Sequence, residues 1–552
     1  MHSDVTIAVG HAALGRGEWA AAAVSFQLLL DADPCDALAL EGRGLAAWWL
    51  DDSATVFRTR TEAFRLYREG GDDRAAGRVA VWLAWDHDAF DGDYSLANGW
   101  LQRARELLAA YPDSPEFAWL SVRSAAFALL DNGNPAEALA HAADAVRAAR
   151  ACASADYEMI GRALRGFALA TTGQVSNGMQ ELEAVNTAVL AGEVRDPLAI
   201  GLASCYLIAA CDRVREYDRA AQWCARLREF CAHWHFRVLF AVCRTQYAAA
   251  CIWNGSWVEA ETELTRASAE LQASRPGMVA EALVRLGELR RRQGRVDEAQ
   301  ALFGRCGSHP LAVVGHANVA LDRGEFDVAA QLADRYLRGL RPHNRTERAG
   351  ALEVVIRARV ALGQVDAART ALLDLQTVAQ DADTKALHAA AHMCDGLVAM
   401  AITYADAARR HFEDAVDLFI RCGAMFERAC AGTELAGALA AMGRTAQAQR
   451  ELDLVIAVLI PMEAVRELAR ATELYARLHP SPAATDAPGS VLTRRECDVL
   501  RLIAQGSGNA AIATQLGISE HTVHRHVANM LVKLGVPSRA AAVAMASRLG
   551  LM

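Results

Sequence analysis

The residues of this chain best placed to do chemistry lie close to its end. His521, Arg525, Ala528 and Val532 recur at i, i+4, i+7 and i+11, flanked by His524 and Asn529, in a stretch (520–534) without Gly or Pro. Arg offers guanine a bidentate pair of donors and Asn pairs with adenine. A small Ala permits close approach or contact with a thymine methyl. On the opposite side Val523, Val527, Met530 and Leu534 repeat at helical spacing. The pattern predicts a helix over 520–534, buried on one side and reading base edges in a major groove with the other. A merely solvated polar face is the alternative.

Such a helix needs a scaffold. Ala513, then Gly517 four residues on, then Val523 six further, fit a helix-turn-helix. The small side chain sits where two helices cross, Gly takes the turn, and the apolar residue anchors the second helix. Ile512, Leu516 and Ile518 fill the surrounding core positions, and Ser519 stands where an N-cap is wanted.

Taken together, residues 491–552 resemble the C-terminal domain of LuxR-type transcriptional regulators. The resemblance runs through Leu492-Thr493, Arg495-Glu496, Val499-Leu500, Ala504 and Gly506 in the first helix and its exit. It continues through Asn509, Ile512-Ala513 and Leu516, then Ile518-Ser519, Thr522-Val523, His526 and Asn529. Lys533-Leu534-Gly535-Val536, Arg539 and Ala542-Val543 complete it. The resemblance implies a four-helix domain whose third helix enters double-stranded DNA and whose last helix, about 539–549, pairs two copies on two half-sites. RNA polymerase is a further partner to expect of such a regulator. The DNA-binding set is then Asn509, Ser519, His521, Thr522, His524, Arg525, Ala528, Asn529 and Lys533. Three positions depart from the family's habit: His524 replaces a basic residue, Gly508 a hydroxyl residue, and Ala510-Ala511 a Lys-Glu pair. These departures bear on phosphate contacts rather than on the fold.

The rest of the chain constrains the reading. The net charge is −9, yet 491–552 carries +4, leaving −13 on the remainder, so attraction for DNA is concentrated at one end. Only Lys385 and Lys533 are lysines, and neither follows Gly or precedes Ser or Thr. A P-loop ATPase is therefore excluded, as is a receiver domain with its active-site lysine. The 13 cysteines are scattered, and the first residues lack the basic and apolar runs of a secretory leader. The apolar stretch 197–211 is too short to span a bilayer. A cytoplasmic bacterial protein with reduced thiols and no membrane contact is expected.

Across 1–479 a phrase recurs: Gly, an aromatic or Val two residues on, and a small residue five after the Gly. It starts at Gly17, Gly92, Gly173, Gly255, Gly294, Gly324 and Gly363, keeps only the Gly and the small residue at Gly133 and Gly443, and has degenerate copies at Arg215 and near Thr403. Each Gly would end one helix in a tight turn and each small residue would let the next helix cross closely. The series resembles the degenerate tetratricopeptide-like repeats of large LuxR-type regulators and implies about eleven hairpins at the ~40-residue spacing. An α-solenoid over 1–479, a Pro-rich linker over 480–490 and a helix-turn-helix domain over 491–552 give an all-α chain in which the reading head is tethered to the array.

All 11 tryptophans fall between Trp19 and Trp257. Packing between helices is expected of them ahead of lining a ligand groove. Cys205, Cys211, Cys224, Cys231, Cys243 and Cys251, with His233 and His235 beside them, lack a CxxC pair and read as core residues ahead of a metal or redox sensor. No catalytic set is recognisable by spacing, so neither an enzyme nor a cofactor is expected. The resulting expectation is a sequence-specific regulator whose array receives a protein or small-molecule signal. The alternative is a protein-interaction scaffold with a non-reading tail.

Overall fold

The computed structural model describes residues 2–234, 237–307, 309–478, 492–536 and 538–548, without the side chains of 2–6, 230–240, 521, 540, 544, 547 and 548. Every regular element among them is helical. Up to Leu478 the helices pair into twelve antiparallel hairpins, with the Val465–Leu478 helix left over at the end. The all-α solenoid anticipated from the repeats is what forms.

Local chemistry explains the hairpins. Asp36, Asp52, Asp72, Asp93, Ser114, Asn134, Ser154 and Asp196 cap helices by accepting from a backbone N–H in the first turn. All nine glycines of the recurring phrase take positive φ, between 55° and 95°, and so do Arg215 (60°) and Thr403 (63°) in the degenerate copies. The small residue five positions on is buried in each case, from Ala22 to Ala448. Gly178 shows why it must be small, since a Cβ there would lie 2.4 Å from the Gly166 carbonyl oxygen. The count of eleven hairpins is corrected to twelve. The extra turn is at Asp51 (φ 62°), where neither Gly nor the aromatic or Val of the phrase is present.

The solenoid is wound so tightly that successive superhelical turns touch. Arg275, fully buried, donates to Asp51 at 2.7 Å and to the Trp48 carbonyl at 2.5 Å, and its guanidinium lies 3.9 Å from the Phe90 ring centroid. Further along, Thr384 donates to the Val214 carbonyl and the Trp253 indole N–H to the Cys422 carbonyl. These axial hydrogen bonds join residues 169 to 227 apart. Toward the C-terminal end an ion network ties four helices together. Arg291 meets Glu288 and Asp322, Arg292 meets Glu288 and Glu427, and Arg466 meets Asp322, all at 2.7–2.8 Å. Burial pushes the Glu288 carboxyl up, but Arg291 and then Arg292 outweigh it and hold it down at about 2.

The tryptophans form a ladder inside the first hairpins. Trp19 stacks on Trp49 at 4.8 Å, Trp48 meets Trp85 at 5.0 Å, Trp82 meets Trp119 at 5.3 Å, and Trp119 stacks on Tyr157. Trp48 and Trp119 are buried. Cys211, Cys224, Cys243 and Cys251 are buried too, and burial pushes the Cys211 and Cys251 thiols up, as befits inert core residues. Cys231, His233 and His235 fall where the side chains are outside the described residues.

Candidate nucleic-acid interface

Four helices make up the C-terminal unit: Arg494–Ala504, Asn509–Leu516, Glu520–Leu534 and Arg539–Arg548. The first opens on a capping box, with Thr493 accepting from the Glu496 N–H and Glu496 accepting from the Thr493 N–H at 2.7 Å. The turn between the second and third is made by Gly517 at φ 65°, with nothing within 4 Å of where a Cβ would sit. Ser519 caps the third helix by accepting from the Thr522 N–H at 3.1 Å. Val499, Leu500, Ile512, Ala513, Val523, Val527 and Met530 form the core of the unit. Ala513, Gly517 and Val523 thus do what their spacing promised.

Each candidate DNA-binding residue has a definite place. Thr522 and Ser519 share a hydroxyl–hydroxyl contact of 2.8 Å at the N-terminus of the third helix. The Asn509 amide donates to His524 Nε2 at 2.9 Å, and Asn509 Oδ1 accepts from Arg539 at 2.6 Å. Asn509 therefore links the second, third and fourth helices. Lys533 is ion-paired at 2.8 Å with Glu496, whose carboxylate is otherwise buried. Asn529 is half-buried and Val532 exposed, while the side chain of His521 lies outside the described residues. Burial, and next the charge of Arg525, push His526 below the ordinary imidazole range.

The middle of the polar face is not open. Arg525 donates to the Tyr475 hydroxyl at 3.1 Å, with its guanidinium 5.7 Å from the centre of that ring. Ala528 is fully buried, and it joins the apolar cluster of Leu452, Val455, Leu459, Leu468, Ala471 and Tyr475 rather than the core of its own unit. The third helix packs on the Thr445–Met462 and Val465–Leu478 helices of the array. The expectation of a head merely tethered is thus corrected: it is docked. The physical reason is that the last hairpin of a solenoid has no following repeat to cover its apolar side. The linker expected over 480–490 falls outside the described residues. Tyr475 was missed because the Val465–Leu478 helix reads as an ordinary amphipathic repeat, and nothing in its spacing says what covers its outer side.

Comparison with known proteins follows the same boundary. The sequence profile of the bacterial regulatory proteins of the luxR family matches residues 490–546. The spore germination protein GerE of Bacillus subtilis is 43% identical over 60 residues, which are 11% of this chain and 81% of that protein. The chain belongs to the luxR family of bacterial regulatory proteins. Other relatives include the nitrate/nitrite response regulator protein NarP of Escherichia coli (strain K12), 44% identical over 88 residues. That stretch is 15% of this chain and 41% of NarP. The transcriptional regulatory protein DegU of Brevibacillus brevis is 50% identical over 56 residues, 10% of this chain and 24% of DegU. The chain thus spans well under half the length of these two. Among solved structures, the APC/C hetero-tetramer Cut9-Hcn1 aligns with 87% of this chain and 94% of its own, at 14% identity and a TM-score of 0.47. No helix among the described residues is long and apolar enough to cross a membrane.

Proposed function

We propose that this chain is a sequence-specific DNA-binding transcriptional regulator whose helical array holds its reading helix shut. In this reading residues 1–479 are the sensor, 480–490 the linker and 491–552 the head. Ser519, His521, Thr522, His524, Arg525, Ala528 and Asn529 address the major groove, while Asn509 and Lys533 brace the helix and lie beside the phosphates. Two heads pair through the final helix on half-sites about one helical turn, ~34 Å, apart. A protein or small-molecule signal at the array frees the head, and RNA polymerase is met from the DNA-bound form.

The observation that carries this reading is the double use of one face. Arg525 and Ala528, which base edges would have to reach, are occupied by Tyr475 and the apolar end of the array. DNA and the array compete for it. A hydrogen bond to a charged group contributes roughly 1.5–3 kcal/mol, so the closed form lowers apparent DNA affinity about 10- to 100-fold through the open fraction alone.

The test is selection of bound fragments from sheared genomic DNA at ~150 mM salt, using the full-length protein, Tyr475→Ala, and Tyr475→Ala with Arg525→Ala. A shared two-fold motif enriched by Tyr475→Ala and lost in the double variant is the expected result. Featureless recovery by all three would favour a scaffold whose tail does not read DNA.

A further inference from the structure

The Lys385–Ala401 and Ala405–Arg421 helices form one hairpin of the array, and each carries a His and an Asp at i and i+3. His392 pairs in this way with Asp395, and His411 with Asp414. A spacing of three places both groups on one side of a helix, and the two sides converge. His392 Nδ1 lies 3.3 Å from His411 Nδ1. One ligand atom from each of His392, Asp395 and His411 falls within 4.8 Å of the others. Asp414 Oδ2 stands 3.9 Å from His392 Nδ1. The first three residues are half-buried and Asp414 is exposed, so the cluster has an outlet to solvent.

Two imidazole nitrogens at this separation either share a proton or aim their lone pairs at a common cation. A tetrahedral zinc ion with Zn–N of about 2.0–2.1 Å sets two nitrogens about 3.3–3.4 Å apart, which is the separation found here. Asp395 is also held from behind, since Gln376 on the neighbouring Val365–Ala382 helix donates to its Oδ2 at 2.8 Å. Support of that kind orients a ligating carboxylate and leaves its other oxygen for the ion. A set of imidazole nitrogens and carboxylate oxygens without thiolate suits zinc, cobalt or nickel better than magnesium or calcium.

We propose that this hairpin binds one divalent transition-metal ion of the zinc class through His392, His411 and Asp395, with Asp414 or water closing the fourth position. The ion would clamp the two helices of the hairpin together. The site is separate from the reading helix, and its test does not depend on DNA.

The experiment is titration of the full-length protein, first stripped with a chelator, with Co2+ followed by visible absorption. One equivalent should bind with d–d bands and no thiolate charge-transfer band, and Zn2+ should displace it. His392→Ala and His411→Ala should abolish the signal, and Gln376→Ala should weaken binding about 10-fold because it only positions Asp395. His411→Gln guards against loss by misfolding: it should melt as the metal-free parent does, yet fail to bind. Absence of saturable binding, equal binding by the variants, or a thiolate band placing the ion on cysteines would each overturn the site.

Discussion

Arg525, at the centre of the proposed reading face, donates to the hydroxyl of Tyr475 fifty residues earlier, on the last helix of the array. Tyr475 is nearly buried, and its ring stays within cation–π range of the same guanidinium. Tyr475→Phe keeps the ring and its packing and removes only the hydroxyl acceptor. The full-length variant should bind its cognate duplex about 10- to 100-fold more tightly, as the lost hydrogen bond to a charged group, roughly 1.5–3 kcal/mol, raises the open fraction. Fluorescence anisotropy at fixed salt measures this, and an unchanged Kd would mean that the docked face does not govern access to DNA.

Gly517 separates backbone strain from crowding. Its φ of 65° lies in the left-handed region, and a Cβ there would meet nothing within 4 Å. Gly517→Asn should therefore be mild and Gly517→Val severe, by roughly 1–2 kcal/mol more, because a β-branched residue resists this conformation. Thermal melts followed by a probe in the C-terminal unit should rank them in that order. Equal losses would point to a contact at the turn instead of its geometry.

Lys533 offers a different contrast. Its ammonium neutralises Glu496, the buried carboxylate of the capping box that opens the first helix. Lys533→Met keeps the aliphatic stem and leaves that carboxylate without its cation, so the unit should lose about 1–2 kcal/mol of stability. Were Lys533 chiefly a phosphate ligand, the variant would instead melt normally and show a salt dependence of DNA binding shallower by about one unit. Melting and salt titration of one variant decide between the two.

Glu288 sets an acid limit on the array. Its folded pKa, about 2, lies below the ordinary carboxylate range, so its contribution is complete above about pH 4.5 and is lost as pH falls from there toward 2. Glu288→Gln should cost on the order of 2 kcal/mol at pH 7 and flatten the fall in melting temperature across that window. Parallel pH profiles for parent and variant would show that the network does not sense this carboxylate.

The repeats were legible because a helix ending in left-handed backbone favours glycine, and a tight crossing demands a small residue. Nine glycines announce their turns directly, Arg215 is marked by the Tyr217 and Ala220 that follow it, and the turn near Thr403 fills a gap in the repeat spacing. Asp51 escaped because Asp also tolerates positive φ and Ser53 stands where the aromatic or Val belongs. The reading helix could be delimited to the residue, with Ser519 capping one end and Gly535 (φ 63°) ending the other. Tyr475 and the axial contacts of Arg275 had no such announcement. They depend on which distant surfaces meet, and a buried Arg or Tyr looks the same in sequence whichever partner it finds. Asn509 shows the same limit: its place in the family pattern suggested DNA, while its amide spans three helices.

The axial contacts turn the array into something closer to a machined thread than to a stack of interchangeable units. Arg275 reaches Asp51 and Trp253 reaches Cys422 only because a set number of hairpins lies between them. Inserting or deleting one hairpin of ~40 residues would advance every later residue by a full repeat, so that each would face the wrong groove of the turn beneath. Open repeat proteins can lengthen by duplication. This one has a fixed lead, and a hairpin gained or lost anywhere between those partners breaks the contacts of the turns on either side.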